Sequence, residues 1–258
     1  MPRFLSVLLA FLLASQAVAE DTDIAALFTQ QQANGSLLLS ALHSGQTYVH
    51  NLPRAQQRFT PASTFKILNS LIALQEQVVT DSNSRFQWDG KVRSIASWNQ
   101  DQTLATAFQR SCVWCYQQLA EKIGVTTYQR YLTALHYGQL KVPFKLTQFW
   151  LDGSLQISSV EQVACLRQLQ QRNLPFSPAA YQSLSEIMLA EDTADYRLWG
   201  KTGLGGKAPK QVGWYVGYVQ TTSEVWFFAI NLEISDPQQL PLRQQLVQQA
   251  LHAKGIID

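Results

Sequence analysis

The sequence predicts an α/β (α+β) fold: a central antiparallel sheet built from both chain ends, flanked by helices, with an inserted mainly helical subdomain. Three observations predict it. Two strand-like runs near the start, residues 36–42 and 46–51, are split by Ser44-Gly45, a hairpin signal. After Asp195, three runs rich in Trp, Tyr, Phe and Val are separated by short turns, as in an antiparallel meander. Between these ends, from Gln102 to about Met188, the pattern is mainly helical. A lone hairpin needs further strands to be stable, so one sheet drawing on both ends is the simplest arrangement.

The first stretch stands apart. Met1-Pro2-Arg3 is a short basic start, residues 4–14 are almost wholly apolar, and Ala17-Val18-Ala19 fits a small-residue cleavage site. A cleaved leader at residues 1–19, cut before Glu20, is expected. The alternative is a buried N-terminal helix; the three-part order favours the leader. The apolar run is too short to span a bilayer, no Cys follows it for lipid attachment, and no second run of spanning length occurs. The mature chain is therefore expected to be soluble and periplasmic or secreted, with no membrane anchor. It is expected to form one domain over residues 20–258, its sheet part at 20–60 and 190–258 and its helical part at 61–189.

Residues 23–32 read as a short helix ahead of the hairpin. Pro61 precedes residues 62–74, an apolar run with helical character; proline suits a first helical turn, and the hydrophobicity makes this a buried central helix. Further helices are expected at 102–110, 113–123, 127–135, 160–171 and 178–189. The meander strands fall at 196–202, 212–221 and 224–234. An amphipathic helix at 242–253 closes the chain.

Composition narrows the function. Of 258 residues, 46% are hydrophobic and 15% charged, with seven Trp and twelve Phe, which is globular and well clear of disorder. The formal charge is +2, Arg3 is the only charge in the leader, and no Lys/Arg run exists. Nucleic acid and anionic membrane surfaces are thereby disfavoured as partners. Three cysteines leave at least one thiol unpaired within the chain. Cys112-x-x-Cys115 is open to three readings: a redox pair, a local disulfide or two buried thiols. The four histidines are scattered, and no zinc-type spacing occurs, so no metal is expected.

Three motifs carry chemistry. In Ser63-x-x-Lys66 the i, i+3 spacing puts both side chains on one helix face. A serine hydroxyl needs an adjacent base, and lysine serves only when neutral. Burial and the positive end of a helix both lower its pKa. Such an amine also reacts with carbon dioxide to give a carbamate, a better base. The spacing alone is weak, since about one match per chain of this length arises by chance; its apolar setting is what singles it out. Ser111-Cys112-Val113 begins another helix, where the hydroxyl is either a proton relay or an ordinary N-cap. Lys201-Thr202-Gly203 sits at a strand end, where glycine lets a ligand lie against the strand edge and Lys and Thr bind a carboxylate. The N–H groups of Leu204 and Ser63 can form an oxyanion hole.

These elements in this order resemble the serine penicillin-recognising family, and within it the class D, or oxacillinase-type, β-lactamases. The match rests on residues 61–66 (Pro-Ala-Ser-Thr-Phe-Lys), Ser111-x-Val113, residues 149–158 (from Phe149-Trp150-Leu151-Asp152-Gly153), Trp199-Gly200-Lys201-Thr202-Gly203, residues 213–217 and residues 240–243. The resemblance implies hydrolysis of β-lactams through acylation of Ser63, with a carboxylated Lys66 as base for acylation and deacylation. It implies that Trp150 holds the carbamate, that Val113 and Leu151 line its apolar pocket, and that Ser111 relays protons. It implies that Lys201, Thr202 and Arg243 hold the substrate carboxylate, which suits the planar Arg fork. No cofactor is implied beyond carbon dioxide or bicarbonate, and the partner is a small-molecule β-lactam. A monomer and a homodimer are both compatible. A β-lactam sensor or transpeptidase-like domain is the alternative; sensors of the family usually carry a polar residue where Val113 stands. Tyr137-Gly138-Gln139 departs from the family's usual Y-G-N. A Cys112–Cys115 bridge is expected to strain the start of its helix, so free buried thiols are expected.

Overall fold

The computed structural model describes residues 19–207 and 210–258; the leader expected at 1–19, Ala19 apart, lies outside the described residues. α1 (Thr22–Gln30) is capped by Asp21, whose Oδ1 accepts from the Ile24 N–H at 3.0 Å. The expected hairpin follows as β1 (Gly35–Ala41) and β2 (Thr47–His50). A short α2 (Leu52–Gln56) then starts on an Asn51 cap. The apolar run divides into a 3₁₀ turn, η1 (Ala62–Phe65), and α3 (Lys66–Gln75), buried throughout residues 66–74.

The helical block comes next. Two small strands, β3 (Arg85–Phe86) and β4 (Gln102–Thr103), pair around a 3₁₀ turn, η2 (Ala96–Trp98). α4 (Leu104–Gln109), α5 (Val113–Ile123) and α6 (Val125–Ala134) follow. The helix expected from 102 starts two residues late because Gln102 and Thr103 pair with Phe86 and Arg85. Thr103 is instead the cap, its Oγ1 accepting from the Thr106 N–H at 3.2 Å. β5 (Gln139–Leu140) pairs with β6 (Leu155–Gln156). α7 (Ser159–Gln170) opens on a Ser158/Glu161 capping box, and α8 (Pro178–Met188) on Ser177 with proline in its first turn.

β7 (Leu189–Asp192), β8 (Tyr196–Lys207), β9 (Lys210–Thr221) and β10 (Val225–Ile234) complete a six-stranded antiparallel sheet of order β2-β1-β10-β9-β8-β7. A 3₁₀ turn, η3 (Pro237–Gln239), precedes the closing α9 (Leu242–Ala253). The sheet thus joins both chain ends, β1 against β10, as the sequence predicts. β7 was not expected; the helix was carried through Leu189. Those four residues are too short and too polar to register as a strand alone.

The sheet is covered on both faces. On β10, Phe228, Ile230, Leu232 and Ile234 turn to one face, with Leu246, Val247 and Leu251 of α9 and Ile24 and Phe28 of α1. Val225, Phe227 and Ala229 turn to the other, onto the core of the helical block. This period of two is the strand alternation that places side chains on opposite faces. β7 pairs only with residues 197–199 of β8, so among the described residues Lys201, Thr202 and Gly203 have no strand partner on that side. No helix among the described residues is long and apolar enough to cross a membrane.

Candidate active site

Ser63 sits in η1, directly ahead of α3, and only 8% of its surface is exposed. The segment beneath it is held from three sides. The Trp150 carbonyl accepts from the Ala62 N–H and from Thr60 Oγ1, both at 2.9 Å. Trp214 Nε1 donates to the Thr60 carbonyl at 2.9 Å, and Gln162 Nε2 donates to Thr64 Oγ1 at 2.8 Å. Ala62 is held in the left-handed region at φ 49. Such a conformation in a non-glycine residue persists only where its surroundings over-determine it; here those three ties do so.

Lys66 is the first residue of α3 and is 1% exposed. Its Nζ donates to Ser63 Oγ at 3.3 Å and lies 4.6 Å from the centre of the Tyr116 ring. Burial pulls the amine from the ordinary 10.5 down to about 7. At neutral pH a large share is therefore unprotonated, and the same contact then runs in reverse, with the hydroxyl donating to the amine.

Ser111 and Lys201 form the second pair. Ser111 links α4 to α5 with φ 55, and its N–H donates to the Phe108 carbonyl at 3.1 Å. Lys201, on the free edge of β8, donates from Nζ to Ser111 Oγ at 2.5 Å and to the Thr202 carbonyl at 2.8 Å. Burial, then the charges of Lys66 and Arg243, hold this amine well below the lysine range. The charge coupling ties the two pairs into one site.

Trp150 is fully buried, with its ring stacked on Phe65 at 6.0 Å. Its Nε1 is a buried donor with no partner. An unpaired buried N–H costs about 1–3 kcal/mol, so its presence asks for an acceptor. Val113 and Leu151 are half-buried, and Leu151 packs on the core of the helical block. Thr202 and Leu204 are half-buried on β8. Arg243, at the start of α9, donates from Nη1 to the Gly203 carbonyl at 2.9 Å and from Nε to the Leu240 carbonyl at 2.7 Å. Burial lowers its pKa. Alongside Lys201 and Thr202 a cavity of about 360 Å³ opens between β8 and Phe108, Gln109 and Met188.

One expectation needs correction. Cys112 and Cys115 are bridged, and both are fully buried. Cys112 is the N-cap of α5, and its sulfur takes the place of a capping oxygen, accepting from the Cys115 N–H at 3.3 Å. A capping side chain already points at the third helical residue, which brings the two Cα atoms to 5.5 Å, inside the ordinary disulfide range. The unusual backbone falls one residue upstream, on Ser111. Cys165 is the free thiol, and burial pushes it up to about 12. At Gly203 a Cβ would lie 3.1 Å from the Pro61 carbonyl oxygen and 3.2 Å from Thr64 Cγ2, so the glycine lets η1 approach β8.

Sequence reasoning missed the polar layer behind Lys66. Ser70 Oγ and Tyr116 Oη lie 2.7 Å apart, and Tyr128 Oη donates to Asn69 Oδ1 at 2.8 Å. The available signal was Asn69 and Ser70 at i+3 and i+4 from Lys66 on an otherwise apolar helix. Gln139 finds a partner in Arg58, whose Nη1 donates to its Oε1 at 3.1 Å while the guanidinium also pairs with Glu161.

A helical block laid on an antiparallel sheet, with the Ser63–Lys66 and Ser111–Lys201 pairs coupled through their two amines, defines a serine enzyme of the penicillin-recognising type. The family model for the penicillin binding protein transpeptidase domain matches residues 20–252. Beta-lactamase OXA-48 of Klebsiella pneumoniae is 39% identical, over 99% of this chain and 99% of the relative. Beta-lactamase OXA-10 of Pseudomonas aeruginosa is 34% identical, over 100% and 99%. The crystal structure of FUS-1 (OXA-85), a class D β-lactamase from Fusobacterium nucleatum subsp. polymorphum, superposes with a TM-score of 0.90 at 34% identity, covering 93% of this chain and 100% of that one. The chain belongs to the class D β-lactamase family.

Proposed function

We propose that this chain hydrolyses β-lactam antibiotics through an acyl-enzyme on Ser63. The observation that carries the reading is the Lys66 Nζ–Ser63 Oγ contact at 3.3 Å, made by an amine whose burial brings its pKa to about 7. Lys66 takes the Ser63 proton as Oγ attacks the ring carbonyl. The N–H groups of Ser63 and Leu204 receive the developing oxyanion. Ser111, in contact with Lys201, relays the proton that Lys66 took on to the departing ring nitrogen, which leaves Lys66 unprotonated and able to act as base again. Thr202, Lys201 and Arg243 hold the substrate carboxylate beside the β8 edge. Lys66 then activates the water that releases the product.

The residues around Lys66 suit an N6-carbamate formed with carbon dioxide. The buried Nε1 of Trp150, whose ring stacks on Phe65 next to Lys66 in the chain, is a donor without an acceptor, and the Lys66 amine is available unprotonated. Val113 and Leu151 would line that pocket. The carbamate would supply an anionic oxygen base in place of the neutral amine. Export follows from the leader, with cleavage before Glu20 and release to the periplasm or medium.

Purified protein mixed with a chromogenic cephalosporin tests the proposal. Sustained turnover over many equivalents is expected, with a gain on adding bicarbonate at low pH. One burst equal to the enzyme concentration, with no further product, would instead fit a sensor or transpeptidase-like domain.

A further inference from the structure

Cys112 and Cys115 are the one sequence motif that acyl transfer leaves without a role. We infer that their disulfide is a positioning element for Ser111, holding the α4–α5 turn in the left-handed conformation that keeps Ser111 Oγ on Lys201 Nζ. The inference rests on the acyl-transfer reading above.

Ser111 has φ 55 and carries a Cβ, so its conformation has to be imposed from outside. Three ties surround it. Its own N–H donates to the Phe108 carbonyl at 3.1 Å, the Cys112 N–H donates to the Ala107 carbonyl at 2.9 Å, and the bridge joins Cys112 to the first turn of α5. The first two anchor the turn to the end of α4. The bridge adds to the Cys112–Val113 peptide bond a second covalent link, one turn further into the following helix.

Reduction of the bridge takes two electrons and two protons from a dithiol, which closes to its own disulfide, and leaves two S–H groups. The sulfurs then need van der Waals rather than bonding separation. Both cysteines are fully buried and belong to the same core cluster as Leu104, Ala107 and Phe108. A close-packed core takes up such a change by moving backbone. Cys115 is held between neighbours that are themselves tied: Trp114 Nε1 donates to the Trp98 carbonyl at 2.9 Å, and Tyr116 Oη lies 2.7 Å from Ser70 Oγ. Cys112 lies outside α5, its N–H tied only to the end of α4, so the shift is expected to fall on it and on Ser111 next to it. The Ser111–Lys201 contact at 2.5 Å tolerates little displacement. The oxidising compartment expected for an exported chain keeps the bridge closed.

The test is a double-mutant cycle on the full mature chain: wild type, Cys112→Ala/Cys115→Ala, Ser111→Ala, and the triple variant, each assayed for kcat and KM on a chromogenic cephalosporin. The Cys112→Ala/Cys115→Ala variant is expected to lose kcat by about 10- to 100-fold, with KM changed by less than about threefold. In the Ser111→Ala background the same cysteine changes are expected to cost nothing further. Losses that multiply in the triple variant would show general support of the fold and overturn the inference. So would free thiols at both positions in native wild-type protein, read by alkylation and mass spectrometry. If the Cys112→Ala/Cys115→Ala variant does not fold, wild type refolded with and without dithiothreitol takes its place, folding being checked by circular dichroism. A lower kcat in the reduced form supports the inference, and equal kcat overturns it. Absence of turnover in oxidised wild type would instead sink the hydrolase reading itself.

Discussion

Replacing Lys66 by methionine should abolish catalysis and stabilise the fold, most strongly at acid pH. The amine is 1% exposed, and burial lowers its pKa from 10.5 to about 7. In the unfolded chain it titrates near the ordinary value. The folded state therefore binds fewer protons than the unfolded state between about pH 7 and 10.5, and stability rises with pH across that window. Below about pH 7 the full penalty for a buried ammonium applies, about 5 kcal/mol for a fall from 10.5 to about 7. At pH 6 nearly all of it remains; at pH 8.5 the linkage relation leaves about 3 kcal/mol. Met is of similar length and carries no charge, so the advantage of Lys66→Met over wild type should shrink by about 2 kcal/mol from pH 6 to pH 8.5. For a domain of this size that is a narrowing of about 4–8 °C in the Tm difference. The assay is thermal unfolding of both proteins in buffers stripped of carbon dioxide. A Tm difference that is constant over this range, or that grows with pH, would refute a buried amine of depressed pKa.

Trp150→Phe keeps the stacking on Phe65 but removes the unpaired Nε1. It should cut the carbamate signal at a fixed concentration of ¹³C-bicarbonate about tenfold or more, as removal of an orienting partner does at metal sites; an unchanged ¹³C resonance would remove Trp150 from that role. Gly205→Ala puts a Cβ 2.6 Å from Thr60 Cγ2 and 2.9 Å from Ala62 Cβ, under the nucleophile. It should cost about 1–3 kcal/mol in denaturant unfolding and lower kcat as well, since the push falls on η1; wild-type kcat would show that η1 is not positioned by β8. Gln139→Asn shortens the side chain that Arg58 contacts at 3.1 Å on the surface. Stability should change by under about 0.5 kcal/mol and turnover remain as in wild type.

The sheet was legible because its strands carry their own signal. β9 and β10 alternate Trp, Tyr and Phe between two covered faces, and β10 is buried on both. α5 was legible to the residue, since Cys112 and Gly124 bound a clear amphipathic stretch. β7 was not, because four residues of mixed polarity take their strand state from pairing with β8 rather than from their own pattern. The site divides in the same way. Ser63, Lys66, Ser111 and Lys201 lie in short local motifs, so the residues could be named and the structure brings them together. Contacts that depend on tertiary approach could not be read: Tyr116 under the Lys66 amine, Trp214 on the Thr60 carbonyl, and Gly203 facing η1. The bridge at Cys112 was misjudged because strain was assigned to the helix start, where capping geometry favours the link. The left-handed turn falls on Ser111, a position that composition does not mark.

The central claim is that Ser63 forms a covalent acyl-enzyme that this chain then hydrolyses. Time-resolved mass spectrometry of the intact protein mixed with a few equivalents of a penicillin tests it most directly. The expected result is an adduct of the penicillin's mass on the peptide carrying Ser63, absent in Ser63→Ala, that decays back to free enzyme as hydrolysed product accumulates. An adduct that persists at one per protein, or product formed by Ser63→Ala at the wild-type rate, would contradict it.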